Sequence, residues 1–132
     1  MKPKIDSYWR NNLTPEQYRV LREKGTESPG TGALLRNNKT GTYMCGACGN
    51  ELFDSRTKYD SGTGWPSFFD IMSSKNVKLE NDLSMIIPRK EVVCAKCGSH
   101  LGHMFNEAKT QSCPTGKRYC INSVALGFRE KK

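Results

Sequence analysis

The chain has 132 residues, 36% of them apolar, and a mean hydropathy of −0.68, which suits one domain with a thin core. No apolar run approaches the roughly 18 residues of a membrane span, and the first residues lack the apolar centre of a secretory signal. We therefore expect a soluble cytoplasmic protein whose six cysteines are metal ligands or catalysts rather than disulfides. The formal charge of +8 admits nucleic-acid binding, but the scattered lysines and arginines favour an ordinary solvated surface.

The beginning of the chain carries the signals of a helix. Thr14 can cap it, Pro15 suits its first position, and Gln17 can complete a capping box. Gly25 is predicted to end this helix, within a helical lead-in that covers about residues 5–25. The following residues, rich in Gly, Thr, Ser and Asn, predict an irregular connection up to position 41.

From Thr42 onward the pattern is that of β-strands. Short apolar runs are separated by Gly, Asn, Asp and Pro, and they cover residues 42–44, 77–79, 85–87, 91–93, 101–105 and 119–128. Asn81 and Asp82, between two of these runs, indicate the turn of a hairpin. We predict a single domain over residues 1–132, mainly β, in which a compact antiparallel β domain covers about residues 42–128.

Two near-identical pairs of cysteines predict a metal site. Cys45 and Cys48, like Cys94 and Cys97, are separated by two residues and followed by glycine. This spacing lets a tight turn aim both sulfurs at one ion, and the glycine can adopt a left-handed conformation. Four thiolates form a closed tetrahedral site, so we predict one structural Zn²⁺ that ties two distant hairpins together. Two redox-active Cys-x-x-Cys motifs are the alternative.

A segment near the C-terminus carries the candidate nucleophile. Alternation at the period of a strand places Arg118, Cys120 and Asn122 on one face, and Tyr119 and Ile121 on the other. A cation two residues from a thiol favours the thiolate, which is the reactive form of cysteine. The amide of Asn122 adds a hydrogen-bond donor and acceptor beside the sulfur. The alternative is a small buried cysteine in a half-polar strand.

Two histidines follow the second cysteine pair directly. In a regular strand His103 and Phe105 share a face, while His100 points away. Gly102 between the histidines is a candidate β-bulge that would bring both to one side. Two imidazoles beside Cys120 could supply protons near neutral pH, whereas a histidine unrelated to Cys120 would be an ordinary core or surface residue.

Trp65 stands between Gly64 and Pro66, which makes it a rigid aromatic side chain in a turn. Such a ring could form the floor of a pocket for a small apolar group, and aromatic rings attract thioether sulfur. The alternative is that Trp65 is an ordinary core residue.

Together these segments resemble the type B methionine sulfoxide reductases, which act on the R epimer. The resemblance extends from Trp9 to Phe128, and five motifs in the same order carry it. They are Cys45-x-x-Cys48, Ser61-Gly62-Thr63-Gly64-Trp65-Pro66-Ser67-Phe68, Cys94-x-x-Cys97, His100-Leu101-Gly102-His103-Met104-Phe105 and Thr115-Gly116-Lys117-Arg118-Tyr119-Cys120-Ile121-Asn122-Ser123. The resemblance implies an enzyme that repairs oxidised methionine by reducing methionine-R-sulfoxide to methionine.

The resemblance implies a fold of two antiparallel sheets with short N-terminal helices, and a zinc site remote from Cys120. It implies that Cys120 attacks the sulfoxide sulfur and that Arg118 lowers the pKa of this thiol. The products would be methionine and a Cys120 sulfenic acid. The chemistry agrees with this assignment, because a soft thiolate suits a sulfur electrophile and the oxygen leaves only if it is protonated.

The resemblance also assigns the residues around the substrate, which would be oxidised methionine, free or in proteins. His100 and His103 would hold and protonate the sulfoxide oxygen, and Asn122 would orient the sulfoxide group. Trp65 would contact the substrate methyl group, and Phe105 would line the same site.

Two positions depart from the pattern of many relatives. Thr63 stands where they carry a second, resolving cysteine, and Glu107 stands where they often carry aspartate. Cys113, in a polar loop shortly before Cys120, is the cysteine that neither the metal pairs nor the attack uses. Our hypothesis is that Cys113 and Cys120 form a disulfide, which a thioredoxin-like protein reduces. The alternatives are a loop cysteine without a role and direct reduction of the sulfenic acid by an external thiol.

Two other classes of function stay open on the residues alone. A non-catalytic zinc ribbon would use its positive charge on nucleic acid, and its affinity would fall steeply with salt concentration. A zinc-dependent chaperone or exchange module on a related β scaffold would not need Cys120. The enzyme interpretation predicts a monomer with no specific nucleic-acid partner and no membrane partner.

Overall fold

In the computed structural model, which describes residues 6–82 and 89–131, the chain is mainly β, as predicted. Two short helices come first, α1 (Asp6–Asn12) and α2 (Pro15–Leu21). Two antiparallel sheets follow, and this agrees with the predicted fold class. Within the described ranges, no helix is both long and apolar enough to cross a bilayer.

The strands form one three-stranded and one six-stranded sheet. In chain order they are β1 (Gly41–Cys45), β2 (Glu51–Asp54), β3 (Lys58–Tyr59), β4 (Ser67–Phe68), β5 (Val77–Asp82), β6 (Arg89–Cys94), β7 (His100–Asn106), β8 (Lys117–Ile121) and β9 (Leu126–Glu130). The smaller sheet has the order β2–β1–β9, and the larger has the order β3–β4–β8–β7–β6–β5. In the larger sheet β8 and β7 are therefore central.

The capping box at the start of α2 is confirmed. Thr14 Oγ1 accepts a hydrogen bond from the N–H of Gln17 at 3.1 Å, and Gln17 Oε1 accepts one from the N–H of Thr14 at 2.9 Å. The prediction that Gly25 ends the helix is wrong, because α2 ends at Leu21. The left-handed residue that follows the helix is Lys24, whose φ is 60°, and not Gly25.

Two strand predictions are wrong, and the sheet pairing explains why. Asn81 and Asp82 do not form a turn, because they continue β5 and pair with residues of β6. The single run predicted over residues 119–128 is two strands, since the chain crosses from β8 in one sheet to β9 in the other through a 3₁₀ turn, Ser123–Ala125. The predicted run 85–87 lies outside the described residues.

The hydrophobic core includes aromatic side chains from both sheets. Phe53 of β2 stacks on Phe68 of β4 with ring centroids 4.3 Å apart. Tyr119 of β8 is buried, with its ring centroid 5.9 Å from that of Phe53. Since side chains alternate along a strand, Tyr119 faces the core and Cys120 stands on the other face of the sheet.

A bulge in β7 brings the two histidines to one face. Consecutive residues of β6 pair with Gly102 and His100, so Leu101 is the extra residue. The rings of His100 and His103 lie 5.3 Å apart as a result. The extra residue is one position away from the predicted one, Gly102.

Gly102 allows β7 and β8 to approach closely beside Cys120. A Cβ atom at Gly102 would lie 2.0 Å from the carbonyl oxygen of Cys120 and 2.9 Å from the Cα atom of Ile121. Both are backbone atoms, which cannot turn aside as the end of a flexible side chain can. A side chain at this position therefore requires the two strands to separate.

We expect Gly102→Ala to destabilise the protein by about 1–3 kcal/mol, because the new methyl group forces β7 away from β8. Gly127→Ala in β9 is the matched control, since the nearest atom that a Cβ there would meet among the described residues is Met44 Cε, at 3.8 Å. Urea unfolding measures the free energy of unfolding of both variants. Equal stability of the two variants would contradict the close approach of the strands.

Candidate active site

Five polar side chains form a row across the six-stranded sheet. Directly opposite residues of an antiparallel pair lie on the same face, with Cβ atoms about 4.5–5.5 Å apart. Strand pairing places one member of the row on each of five neighbouring strands. In the order β3, β4, β8, β7 and β6, the members are Tyr59, Ser67, Cys120, His103 and Glu91. Cys120 is at the centre of this row, so the pairing of the strands assembles the surroundings of its sulfur.

Arg118 supplies a positive charge next to Cys120. Its Nη1 donates to Cys120 Sγ at 2.8 Å, and its Nε and Nη2 donate to Glu107 Oε1 at 2.9 and 2.5 Å. The guanidinium also lies over the ring of Phe105, 4.5 Å from the ring centroid. Burial lowers the pKa of Arg118, but Glu107 and Cys120 raise it by more, so the net shift is upward. The half-buried sulfur of Cys120 therefore has a fixed cation beside it.

Hydroxyl groups also contact the sulfur of Cys120. Ser67 Oγ and Thr63 Oγ1 lie 3.6 and 3.7 Å from Cys120 Sγ. Ser61 Oγ joins them at 2.6 Å from the Ser67 hydroxyl and 2.8 Å from the Thr63 hydroxyl. Sequence reasoning missed Ser61 and Ser67, because hydroxyl residues are common in turns. Only the folded structure shows that Ser67 reaches the sulfur and that Ser61 contacts Ser67.

The two histidines have different surroundings. His103 is half-exposed and lies directly opposite Cys120 in the pairing of β7 with β8. His100 is only 3% exposed; its Nδ1 is 2.8 Å from Glu91 Oε2, and its buried Nε2 has no hydrogen-bond partner among the described residues. Burial lowers the pKa of His100, and the Glu91 carboxylate offsets part of this shift. The structure thus brings His103 to Cys120 and joins His100 to a buried carboxylate.

Glu27 links Trp65 to Asn122. Trp65 Nε1 donates to the carbonyl of Glu27 at 3.0 Å, and the N–H of Glu27 donates to Asn122 Oδ1 at 3.0 Å. The buried Glu27 carboxylate accepts from the N–H of Val124 at 2.9 Å, and Asn122 Nδ2 donates to the carbonyl of Leu101 at 3.1 Å. Asn122, just beyond the end of β8, is therefore held by backbone groups. Sequence reasoning missed Glu27, since nothing in the irregular connection marks it.

Cys113 lies in the connection between β7 and β8 and is buried. Its Sγ donates to the carbonyl of Lys117 at 3.4 Å, and both Cys113 and Cys120 are free thiols. Tyr59 is near both: burial raises the pKa of Tyr59, and a hydrogen bond with Cys113 and the charge of Cys120 raise it further. The structure therefore does not join the two sulfurs, but it gives them a common neighbour.

The other four cysteines converge at one point. Cys45 ends β1 and Cys48 follows in the next turn, while Cys94 ends β6 and Cys97 follows in its turn. Their sulfurs lie within 4.8 Å of one another, with Cys45–Cys97 at 3.7 Å and Cys48–Cys94 at 3.6 Å. A tetrahedral thiolate site with metal–sulfur bonds of about 2.3 Å requires sulfur–sulfur distances of about 3.8 Å. The donors and their spacing therefore fit a metal ion.

The four-cysteine cluster joins the two sheets, because β1 belongs to the smaller sheet and β6 to the larger. Gly49 and Gly98 follow the two cysteine pairs with φ angles of 79° and 76°, which confirms the predicted left-handed conformation. The N–H of each glycine donates at 2.8 Å to the carbonyl of the first cysteine of its pair. An ion at this point would tie together two hairpins that are distant in sequence.

Comparisons with known proteins identify the family. Residues 13–130 match the SelR domain. The "Peptide methionine sulfoxide reductase MsrB" of Methanosarcina barkeri is 56% identical over 129 residues, which is 98% of this chain and 89% of that protein. Proteins of the same name from Methanosarcina mazei and Leptospira interrogans are 56% and 52% identical, over 98% and 97% of this chain and 90% and 95% of theirs. This chain therefore belongs to the SelR domain family, the type B methionine sulfoxide reductases that its motifs resemble.

Proposed function

We propose that this chain reduces the R epimer of methionine sulfoxide to methionine, with Cys120 as the nucleophile. The observation that most supports this is the position of the Cys120 sulfur, which is half-exposed, contacts the guanidinium of Arg118 and lies in register with His103. The names of the relatives support the substrate class. A thiolate with a cation and an imidazole beside it has the groups that this reduction needs.

The reaction transfers the sulfoxide oxygen to Cys120. The thiolate of Cys120 attacks the sulfoxide sulfur, the sulfur–oxygen bond of the substrate breaks, and one proton is taken up. The products are methionine and a Cys120 sulfenic acid, so the substrate sulfur gains the two electrons that Cys120 loses. Arg118 stabilises the thiolate before the attack, and Glu107 keeps the guanidinium in position.

His103 and His100 hold and protonate the sulfoxide oxygen. The position of His103 directly opposite Cys120 supports this role. The ring of His100 lies 5.3 Å from the ring of His103 on the same face of the sheet. An imidazole exchanges its proton near neutral pH, so it can donate during the reaction and be reprotonated afterwards. General acid catalysis of this kind typically contributes about 10²–10⁴-fold to the rate.

Trp65, Phe105 and Asn122 orient the substrate. The ring of Trp65 is held by the bond from its Nε1 to Glu27, and it contacts the methyl group and sulfur of the methionine side chain. Phe105 lies on the Cys120 face of the sheet, because it pairs with Arg118 in the register. Asn122 aligns the sulfoxide group from the end of β8, where backbone contacts fix its amide.

Cys113 resolves the sulfenic acid. Its thiol attacks the sulfenic sulfur of Cys120, a disulfide forms and water leaves, and the dithiol of a thioredoxin-like protein then reduces the disulfide. Thr63 contacts Cys120 but carries no thiol, and the four clustered cysteines would be committed to a metal ion, which favours Cys113. Because the thiol of Cys113 donates to the carbonyl of Lys117 in the reduced chain, this hydrogen bond must break for the disulfide to form.

The four-cysteine cluster would hold Zn²⁺ as its ion. Four thiolates at tetrahedral spacing favour this ion and would leave it no open coordination position, so the ion would stabilise the fold and take no part in the reaction.

We expect Cys120→Ser to abolish reduction of methionine-R-sulfoxide, because serine lacks the soft nucleophile, while circular dichroism shows an intact fold. Methionine release from the separated epimers, with a dithiol as reductant, is the measurement. The wild type should act on the R epimer alone. Cys113→Ser is the matched control, since it should release one methionine per chain in a single turnover without reductant. Turnover by Cys120→Ser, or equal rates on both epimers, would refute the proposal.

After one turnover without reductant, peptide mapping should find a disulfide between Cys113 and Cys120. Cys113→Ser should then lose repeated turnover with thioredoxin, because no second thiol meets the sulfenic acid. Adding Thr63→Cys to this variant should restore turnover, since Thr63 Oγ1 lies 3.7 Å from Cys120 Sγ. If Cys113→Ser cycles at the wild-type rate and no disulfide appears, an external thiol reduces the sulfenic acid directly.

Purified protein should contain one zinc ion per chain, and its removal by a chelator should unfold the domain. Binding of structural zinc is worth on the order of 10–16 kcal/mol in zinc-finger peptides, which is comparable to the stability of a whole domain. Metal analysis and thermal melting are the measurements. Cys48→Ser should lose the ion, whereas Cys113→Ser, the matched control outside the cluster, should keep it. Protein that is free of metal and fully stable would contradict this assignment.

A further inference from the structure

Glu91 is a buried carboxylate at the edge of the candidate site. It lies on β6, is 7% exposed, and pairs with His103 of β7. Removing a carboxylate from water is unfavourable unless hydrogen bonds or opposite charges compensate for the lost hydration. The partners of Glu91 therefore indicate what it does.

In the described part of the chain, both carboxylate oxygens of Glu91 contact a nitrogen. Oε2 lies 2.8 Å from Nδ1 of His100, and both of these side chains are buried. Oε1 lies 3.4 Å from Nζ of Lys24, whose side chain is 68% exposed. An ion pair with an exposed lysine is weakened by solvent, whereas the shorter contact with His100 is shielded from water. The contact with His100 is therefore the stronger of the two, and the proposed role of Glu91 is built on it.

We propose that Glu91 is a positioning residue of the reaction. It accepts the Nδ1 hydrogen of His100, so that Nε2 is the nitrogen that takes up the proton of the reaction and donates it to the sulfoxide oxygen. This inference rests on the proposed function, in which His100 helps to protonate that oxygen. A neutral imidazole carries one N–H, and a hydrogen bond to a carboxylate fixes that hydrogen on the bonded nitrogen. Nε2 is the nitrogen without a hydrogen-bond partner in the described part of the chain, so it is available for the proton of the reaction.

The charges around His100 act on the same proton. Burial lowers the pKa of His100 most strongly, and the positive charges of Lys24 and Arg89 lower it further. Glu91 raises it, because a carboxylate stabilises the imidazolium, while His103 is the other titratable group in ring contact. Removing the charge of Glu91 lowers the pKa of His100, which leaves less imidazolium at a given pH. The alkaline limb of the pH–rate profile should then move to lower pH.

Determining which nitrogen of His100 carries the hydrogen tests the proposed hydrogen bond to Glu91 without an activity assay. The chain contains two histidines, so ¹⁵N spectra of the imidazole rings resolve both, and His103→Gln assigns them. We expect neutral His100 to carry its hydrogen on Nδ1 in the wild type, and the population of this tautomer to fall in Glu91→Val. A wild-type His100 with its hydrogen on Nε2 would overturn the proposal.

Steady-state kinetics test the role in the reaction. Glu91→Gln, which keeps the shape but removes the charge, should lower kcat about 10- to 100-fold with little change in KM, and it should shift the alkaline limb to lower pH. Glu80→Gln is the matched control, because Glu80 pairs with Glu91 from β5 and its carboxylate is exposed, 3.3 Å from Lys78 Nζ. It should keep the wild-type kcat and pH profile.

His100→Gln separates this inference from the proposed function. If His100→Gln lowers kcat and Glu91→Gln changes neither kcat nor the pH profile, the inference about Glu91 is wrong and the proposed reaction stands. If His100→Gln keeps the wild-type kcat, the proposed role of His100 is wrong, and the role of Glu91 is wrong with it. A loss of kcat in both variants, with the Nδ1 tautomer in the wild type, supports the proposal.

Discussion

The close approach of β7 and β8 at Gly102 is the constraint on which the rest of the site depends. The carbonyl of Cys120 occupies the space that a side chain at Gly102 would need. Because the strands meet there, His103 stands opposite Cys120 in the register, and the bulge at Leu101 turns His100 to the same face. One glycine thus sets the distance between the strand of the nucleophile and the strand of both imidazoles.

One face of the six-stranded sheet packs in the hydrophobic core, and the other face carries the residues of the candidate site. Tyr119 and Phe68 are buried in the core, while their neighbours in sequence, Cys120 and Ser67, form part of the polar row on the other face. A side chain that stands on a strand is held by the packing beneath it and by the strands on either side. The sulfur, the hydroxyl of Ser67 and the ring of His103 are therefore positioned by the sheet, and Arg118 shares the strand of Cys120.

Two buried carboxylates support this face from outside the predicted motifs. Glu27 joins Trp65 to Asn122 through its backbone and holds the turn after β8 through its side chain. Glu91 contacts His100 from the neighbouring strand. Both residues hold the groups that the motifs supply, and such partners fix the orientation of rings and amides that would otherwise rotate.

The sequence alone determined the features that depend on interactions between residues close together in the chain. The capping box at Thr14, the left-handed glycines after each cysteine pair and the opposite faces of Tyr119 and Cys120 follow from short-range geometry, and all three are confirmed. The four-cysteine cluster was also predictable, because two equal turns with the same donors favour one shared ion.

Only the tertiary structure decided where β5 ends, where the chain crosses between the sheets, and that Glu27, Ser67 and Glu91 join the site. These features depend on contacts between segments that are far apart in the chain, such as the bond between Glu27 and Asn122. The local order of residue types does not specify which distant segment of the backbone will contact it. That information exists only once the strands have paired and the register is set.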